Sequence, residues 1–164
     1  MNIRTAIITL SDKGSKGERE DESGRVVREI VSGINAVVER YELLPDEKDL
    51  IIAALKHLSG SGMIDLIITT GGTGVAPRDV TPEATRAVID RELPGVAEAM
   101  RSESLKKTPH AMISRALAGI AGRTLIVNLP GSPRALRENL SVILPAIPHI
   151  IEKMKGDPAD CGRS

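Results

Sequence analysis

The chain has 164 residues, in which 22 Lys+Arg are balanced by 22 Asp+Glu, and that balance excludes the basic excess of a nucleic-acid-binding protein. Trp and Phe are absent and Tyr41 is the only aromatic residue, which excludes a base-stacking platform and requires an aliphatic core. One cysteine (Cys161), no leader-like N-terminus and no apolar run near the ~20 residues of a membrane span point to a soluble, cytoplasmic protein without disulfides.

Ile3 to Leu10 is β-branched and almost unbroken, the pattern of a strand buried on both faces. A polar loop, Ser11 to Asp21, follows. Val26, Val27, Ile30, Val31 and Ile34 then fall on one helical face. Ala36 to Leu44 reads as a second strand, stopped by Pro45. Asp46 sits near the start of the next helix, whose apolar positions are Leu50, Ile51, Ala54, Leu55 and Leu58. Ser59-Gly60-Ser61-Gly62 closes it, and Met63 to Thr70 reads as the third strand.

Thr81-Pro82 has the form of an N-cap followed by proline at the first helical position. The spacing predicts a helix from there to Glu92, an interruption at Leu93-Pro94-Gly95, and a further helix over Val96 to Lys106. Ile113 to Ala121 fits helix or strand. Gly122-Arg123 reads as a turn before a strand from Thr124 to Leu129, so a hairpin would make one edge of the sheet antiparallel. Leu136, Leu140, Ile143 and Leu144 share a face, Pro145 and Pro148 interrupt, and Ile147, Ile150, Ile151 and Met154 form a last apolar face. The alternation predicts a three-layer α/β fold: a mostly parallel central sheet, helices on both faces and one antiparallel edge. Residues 1–155 are expected to form a single domain and residues 156–164 a flexible tail.

Ligands of such sheets sit beyond the carboxyl ends of the strands. Four loops leave those ends: Ser11–Asp21, Pro45–Asp46, Gly71–Thr81 and Pro130–Ser132. In Gly71-Gly72-Thr73-Gly74 the glycines can turn successive N–H groups toward an anion, or simply make a tight turn. The Walker and dinucleotide motifs are both missing. Asp79, after Arg78, is either a cap on nearby N–H groups or a carboxylate that, beside a phosphate loop, requires a cation. Asp46 stands where a helix cap belongs, yet also at a strand end. Ser132 reads as an N-cap whose helix end, with Gly131, could take a ligand. Ser11 and Asp12 open a loop that solvation alone would explain. His57, His110 and His149 have no metal spacing, and no nucleophile–histidine order marks covalent chemistry.

Thr69-Thr70-Gly71-Gly72-Thr73-Gly74, Arg78-Asp79-Val80-Thr81-Pro82-Glu83-Ala84-Thr85 and Asn128-Leu129-Pro130-Gly131-Ser132-Pro133, with Ser11-Asp12-Lys13, Ser23-Gly24 and Leu44-Pro45-Asp46-Glu47, resemble the Mog and MoaB family of molybdenum cofactor biosynthesis over about residues 3–154. The resemblance implies a molybdopterin adenylyltransferase. Such an enzyme moves AMP from ATP to the terminal phosphate of molybdopterin with Mg²⁺, as a homotrimer or, in some members, a hexamer. It hands its product to a metal-insertion protein. The resemblance also implies roles. Asp46 and Asp79 would be the catalytic, metal-associated acidic pair. Ser11, Asp12, Gly71, Gly72, Thr73, Gly74, Thr81, Pro130, Gly131 and Ser132 would bind phosphates and pterin. A non-catalytic molybdopterin-binding scaffold of the MoaB type is the alternative. A domain of the longer metal-insertion proteins is a third reading.

Overall fold

The computed structural model describes residues 2–158, and its framework is a sheet of six strands in the order β2-β1-β3-β6-β5-β4. The strands are β1 (Ile3–Leu10), β2 (Ala36–Leu44), β3 (Leu66–Thr70), β4 (Arg91–Glu92), β5 (Ala118–Ala121) and β6 (Thr124–Leu129). Strands β2, β1, β3 and β6 run parallel, and β5 runs antiparallel to both of its neighbours. The Gly122-Arg123 turn makes the expected hairpin, and the ambiguous stretch before it resolves as strand from Ala118 onward.

Alternation along the strands builds a core on each face of the sheet. Ile3, Ile7, Leu66, Ile68, Leu125, Val127 and Leu129 pack on α2 (Glu22–Val31), α5 (Pro94–Leu105), α6 (Pro133–Ile143) and α7 (Ile147–Met154). Ala6, Ile8, Leu10, Ile67 and Ile126 face the other way, onto α3 (Lys48–Gly60) and α4 (Thr81–Arg86). The three layers therefore follow from near-continuous β-branched strands between amphipathic helices.

Several expected boundaries move. A short helix, α1 (Asp12–Ser15), lies inside the first loop, capped by Ser11, whose Oγ accepts the Gly14 N–H at 3.0 Å. The helix expected to reach Glu92 ends at Arg86, because the chain turns back to lay β4 along β5. Pro94 opens α5 rather than interrupting, since proline's missing N–H is harmless in a first turn. Leu50 points outward at 50% exposure. Residues 159–164, with Cys161 and most of the expected tail, lie outside the described residues.

The strand order reverses beside β1: β2 lies on one side of it and β3 on the other. The loops after β1 and β3 diverge there and leave a crevice. Gly71 makes the exit from β3. Its φ is +99°, and a Cβ on it would run into the Leu10 carbonyl oxygen. Gly71→Ala is expected to lower the urea-unfolding free energy by at least about 2 kcal/mol, since backbone strain and a collision with main chain both oppose it; an unfolding midpoint equal to wild type would contradict this reading of the turn.

Candidate active site

The crevice is a cleft of about 480 Å³. The first loop and the start of α2 contribute Ser11, Arg19, Asp21 and Ser23 to its wall, the end of β2 contributes Asp46, and the loop after β3 contributes Gly71, Gly72, Thr73, Gly74 and Asp79. Gly131 and Ser132 close it from the β6–α6 connection. Thus most of the residues singled out in the sequence converge. Three stand back from the cleft. Thr81 is buried behind the glycine loop. Asp12 is engaged with Arg78 and Asp46. Pro130 lines a separate, mainly apolar cavity on the far side of Thr73 and Gly74.

Asp46 departs from a simple capping role, whereas Asp79 does cap a nearby N–H. The residue at the N-cap of α3 is Glu47, with no side-chain cap, and not Asp46. Asp46 instead exchanges bonds with Asp12: its Oδ2 accepts the Asp12 N–H at 3.1 Å, and its own N–H donates to Asp12 Oδ1 at 3.0 Å. Asp79 does close a turn, accepting the Ala76 N–H on Oδ2 at 2.9 Å. In each case one carboxylate oxygen is fixed by an amide. No protein donor among the described residues reaches Asp46 Oδ1 or Asp79 Oδ1. Thr81 is likewise not a cap. Val80 holds that position, and the Thr81 hydroxyl donates back to the Gly71 carbonyl at 2.9 Å. Ser132 is the N-cap of α6, without a side-chain bond.

The glycine loop faces its carbonyls into the protein. Gly71 O accepts from Thr81 Oγ1 at 2.9 Å, Gly72 O from the Thr81 N–H at 3.1 Å, Thr73 O from the Arg115 N–H at 2.9 Å and Gly74 O from Arg115 Nε at 2.7 Å. Across the cleft, Ser23 Oγ donates to Gly131 O at 2.8 Å. In a trans peptide the following N–H points opposite its carbonyl, and no cis bond occurs among the described residues. The N–H groups of Gly72, Thr73, Gly74, Val75 and Ser132 have no protein acceptor among the described residues. Their arrangement is an anion cradle built from main chain.

Electrostatics set the demand on this site. Burial, then Asp12 and Asp79, raise the Asp46 pKa above its ordinary 3.8. Arg78 cannot relieve it fully, because its guanidinium is clasped by Asp12, at 2.9 and 2.8 Å, and by Glu47 at 2.8 Å. Those bonds, Arg78 first and the Asp46 N–H second, hold the Asp12 carboxyl below its usual range. Asp21 is saturated by the Thr9 hydroxyl at 2.7 Å, the Gly24 N–H at 3.0 Å and the Tyr41 hydroxyl. Burial, then the Asp21 bond, push Tyr41 up to about 12, so it remains a donor. Asp46 and Asp79 are the carboxylates beside the glycine loop with oxygens to spare, and the exposed Glu20 and Glu22 also line the cleft. Among the described residues no group of three or more His, Cys, Asp and Glu could hold a metal. That donor set fits Mg²⁺, which takes one or two carboxylates and completes its shell with water and phosphate.

Arg115, Tyr41 and Ser23 were not among the expected site residues. Arg115 lay in the stretch whose helix or strand character the periodicity left open, so nothing local placed it behind the glycine loop. Ser23 and Tyr41 act through contacts with residues distant in sequence.

The fold and cleft define a class: an α/β protein with an amide-lined cleft, suited to an anion, at the switch point of its sheet. A family model described as "Probable molybdopterin binding domain" matches residues 6–149, and the chain belongs to that family of molybdenum cofactor biosynthesis. It is 44% identical to the molybdopterin adenylyltransferase of Helicobacter pylori over 157 residues, 94% of this chain and 89% of the relative. The crystal structure of the molybdopterin biosynthesis enzyme MoaB from Thermus thermophilus superposes with a TM-score of 0.89 at 50% identity, covering 96% of this chain and 99% of that one. The tungsten cofactor synthesizing protein MoaB of Pyrococcus furiosus superposes at 0.85 with 34% identity, over 94% of this chain and 98% of its own.

A raised carboxyl pKa has a defined consequence for stability. The stability tied to Asp46 is fully present below pH 3.8, where the group is protonated folded or unfolded, and is lost as pH rises through its higher folded value. Asp46→Asn is therefore expected to melt above wild type at pH 7, with the difference vanishing near pH 3. Calorimetry across that range checks it, and a lower melting temperature for the variant at pH 7 would contradict it.

Proposed function

We propose that the chain is a molybdopterin adenylyltransferase: it transfers AMP from ATP to the terminal phosphate of molybdopterin and releases pyrophosphate. One observation carries the reading. Asp46 and Asp79, each with a carboxylate oxygen that no donor among the described residues reaches, share a cleft with a row of main-chain N–H groups that have no acceptor among those residues. The identity to a relative named for this activity supports it.

In the reaction an oxygen of the molybdopterin phosphate attacks the α-phosphorus of ATP. The new P–O bond forms as the bond to the pyrophosphate oxygen breaks. A phosphate monoester is largely ionised at neutral pH, its second pKa being ~6, so no general base is needed. The difficulty is repulsion between two anions, and the remedy is positioning with fixed dipoles and charge. Amides of Gly72, Thr73, Gly74 and Val75 would receive one set of phosphate oxygens. The Ser132 amide, at the start of α6, would receive another. Asp46 and Asp79 would hold Mg²⁺, which when bound offsets the phosphate charge and acts as a Lewis acid at a phosphoryl oxygen. Asp79 is braced by its turn and Asp46 by Asp12, so both carboxylates are oriented before substrate arrives.

The scaffold alternative is less favoured by these residues. A protein that only bound pterin would gain nothing from a carboxylate whose ionised form burial and two like charges oppose. We further infer that residues 1–155 act as one binding unit and assemble as a homotrimer. Val75, Met112 and Ile113, exposed at 64, 73 and 52%, supply apolar surface for self-association. A cytoplasmic location and transfer of product to a metal-insertion protein are part of the same proposal. The absence of a described helix long and apolar enough to cross a membrane is compatible with it.

Incubation with ATP, Mg²⁺ and molybdopterin should yield adenylylated molybdopterin by mass spectrometry. Chelation with EDTA should abolish the product, and added Mg²⁺ restore it. Asp79→Asn is expected to lower turnover at least ~100-fold, the scale of losing a group that stabilises transition-state charge. Wild-type turnover by a folded Asp79→Asn protein would remove Asp79 from the chemistry, and absence of product from the wild type would favour the scaffold.

A further inference from the structure

Arg115 is absent from the walls of the cleft, yet it bonds the glycine loop from behind at two carbonyls. It lies between the 3-10 segment Pro109–Ile113 and β5. Its backbone N–H donates to Thr73 O at 2.9 Å. Its Nε donates to Gly74 O at 2.7 Å, and its Nη2 to Asp79 O at 2.6 Å. Its Nη1 pairs with Glu83 on the first turn of α4. One planar side chain therefore bridges both ends of the Gly74–Asp79 loop and ties that loop to the helix it enters.

We propose that Arg115 is a positioning residue for the transfer reaction: it sets the direction of the Gly74 and Val75 amides and holds the main chain that carries Asp79. The proposal rests on the adenylyltransferase reading of the cleft. Peptide geometry gives the link. With the Thr73 and Gly74 carbonyls turned onto Arg115, the N–H groups of Gly74 and Val75 are turned the other way. With Asp79 O held, the turn that fixes its carboxylate has an anchored end.

Geometry rather than field is what Arg115 contributes. Its charge is matched by Glu83, and the pair lets Glu83 stay ionised: burial opposes its charge, but its own backbone N–H and Arg115 together outweigh that and hold its carboxyl below the usual range. Among the described residues the buried Glu83 Oε2 has no hydrogen-bond partner, while Arg115 Nη1 meets its other oxygen. Lysine would keep the charge, but a single ammonium lacks the planar fork that meets two carbonyls and a carboxylate together.

The test compares wild type, Arg115→Lys and Arg115→Ala. Calorimetric titration with inorganic pyrophosphate reports on the amide cradle, and steady-state adenylylation reports KM for ATP and kcat separately. Melting temperature is followed in parallel. In the folded variants the Kd for pyrophosphate and the KM for ATP are expected to rise at least about tenfold, as for loss of one well-aligned bond to a charged group. Lysine should recover little, and guanidinium ion at non-denaturing concentration should restore much of the loss in Arg115→Ala. If Arg115→Ala does not fold, Arg115→Lys alone decides. Pyrophosphate affinity within twofold of wild type in a folded variant overturns the proposal. So does a loss confined to melting temperature and not relieved by guanidinium. A wild type that binds pyrophosphate but forms no adenylylated pterin refutes the parent reading instead, and leaves the Arg115 comparison intact.

Discussion

Like charges meet in one small space, and the rest of the site answers that constraint. The cleft holds Asp46 and Asp79, and the phosphorylated ligands proposed for it bring further negative charge. In the described structure the nearby cation Arg78 is already spent on Asp12 and Glu47. Besides Arg19, exposed on the wall of the first loop, the protein side offers a set of main-chain amides at the ends of two parallel strands. These are fixed dipoles that need no reorganisation when charge arrives. The proposed divalent ion, held by Asp46 and Asp79, would add positive charge there, and their carboxylate oxygens without a donor among the described residues are suited to it.

The scaffold exists to hold that arrangement still. Parallel strands buried on both faces bring the ends of β1, β3 and β6 to one side of the sheet. The reversal of strand order opens the gap between the first two loops. Beneath the cleft, hydroxyl and amide side chains lock neighbouring elements. Asn128 Nδ2, fully buried, donates to Thr69 Oγ1 and Thr85 Oγ1 at 2.9 Å each, joining β6, β3 and α4. Buried polar groups with complete partners specify one packing, because slippage would strand them. Thr81 and Ser23 extend the same device to the loops, each by a bond from a hydroxyl to a glycine carbonyl.

The sequence made the layered fold readable because its strands are short β-branched runs and its helices carry clear apolar faces. The β5–β6 hairpin was legible once Gly122-Arg123 was read as a turn. Errors fell where tertiary contacts override local signals. Thr81-Pro82 has the look of a cap and first turn, yet the Thr81 hydroxyl is taken by Gly71. Asp46 has the look of a cap, yet it pairs with the main chain of Asp12, 34 positions away. The convergence of Ser11, the glycine loop, Asp79 and Ser132 could be anticipated from strand ends alone. Arg115 could not, since its side-chain partners lie 32 to 41 positions earlier in the chain and its segment has no periodicity.

The most direct trial of the cation-bridged cleft is a crystal structure with Mn²⁺ and a non-hydrolysable ATP analogue, read by the anomalous signal of the metal. A peak bound to Asp46 or Asp79, shared with a nucleotide phosphate whose oxygens meet the amides of Gly72 to Val75, is the expected result. A cation and nucleotide seated away from both aspartates would contradict it.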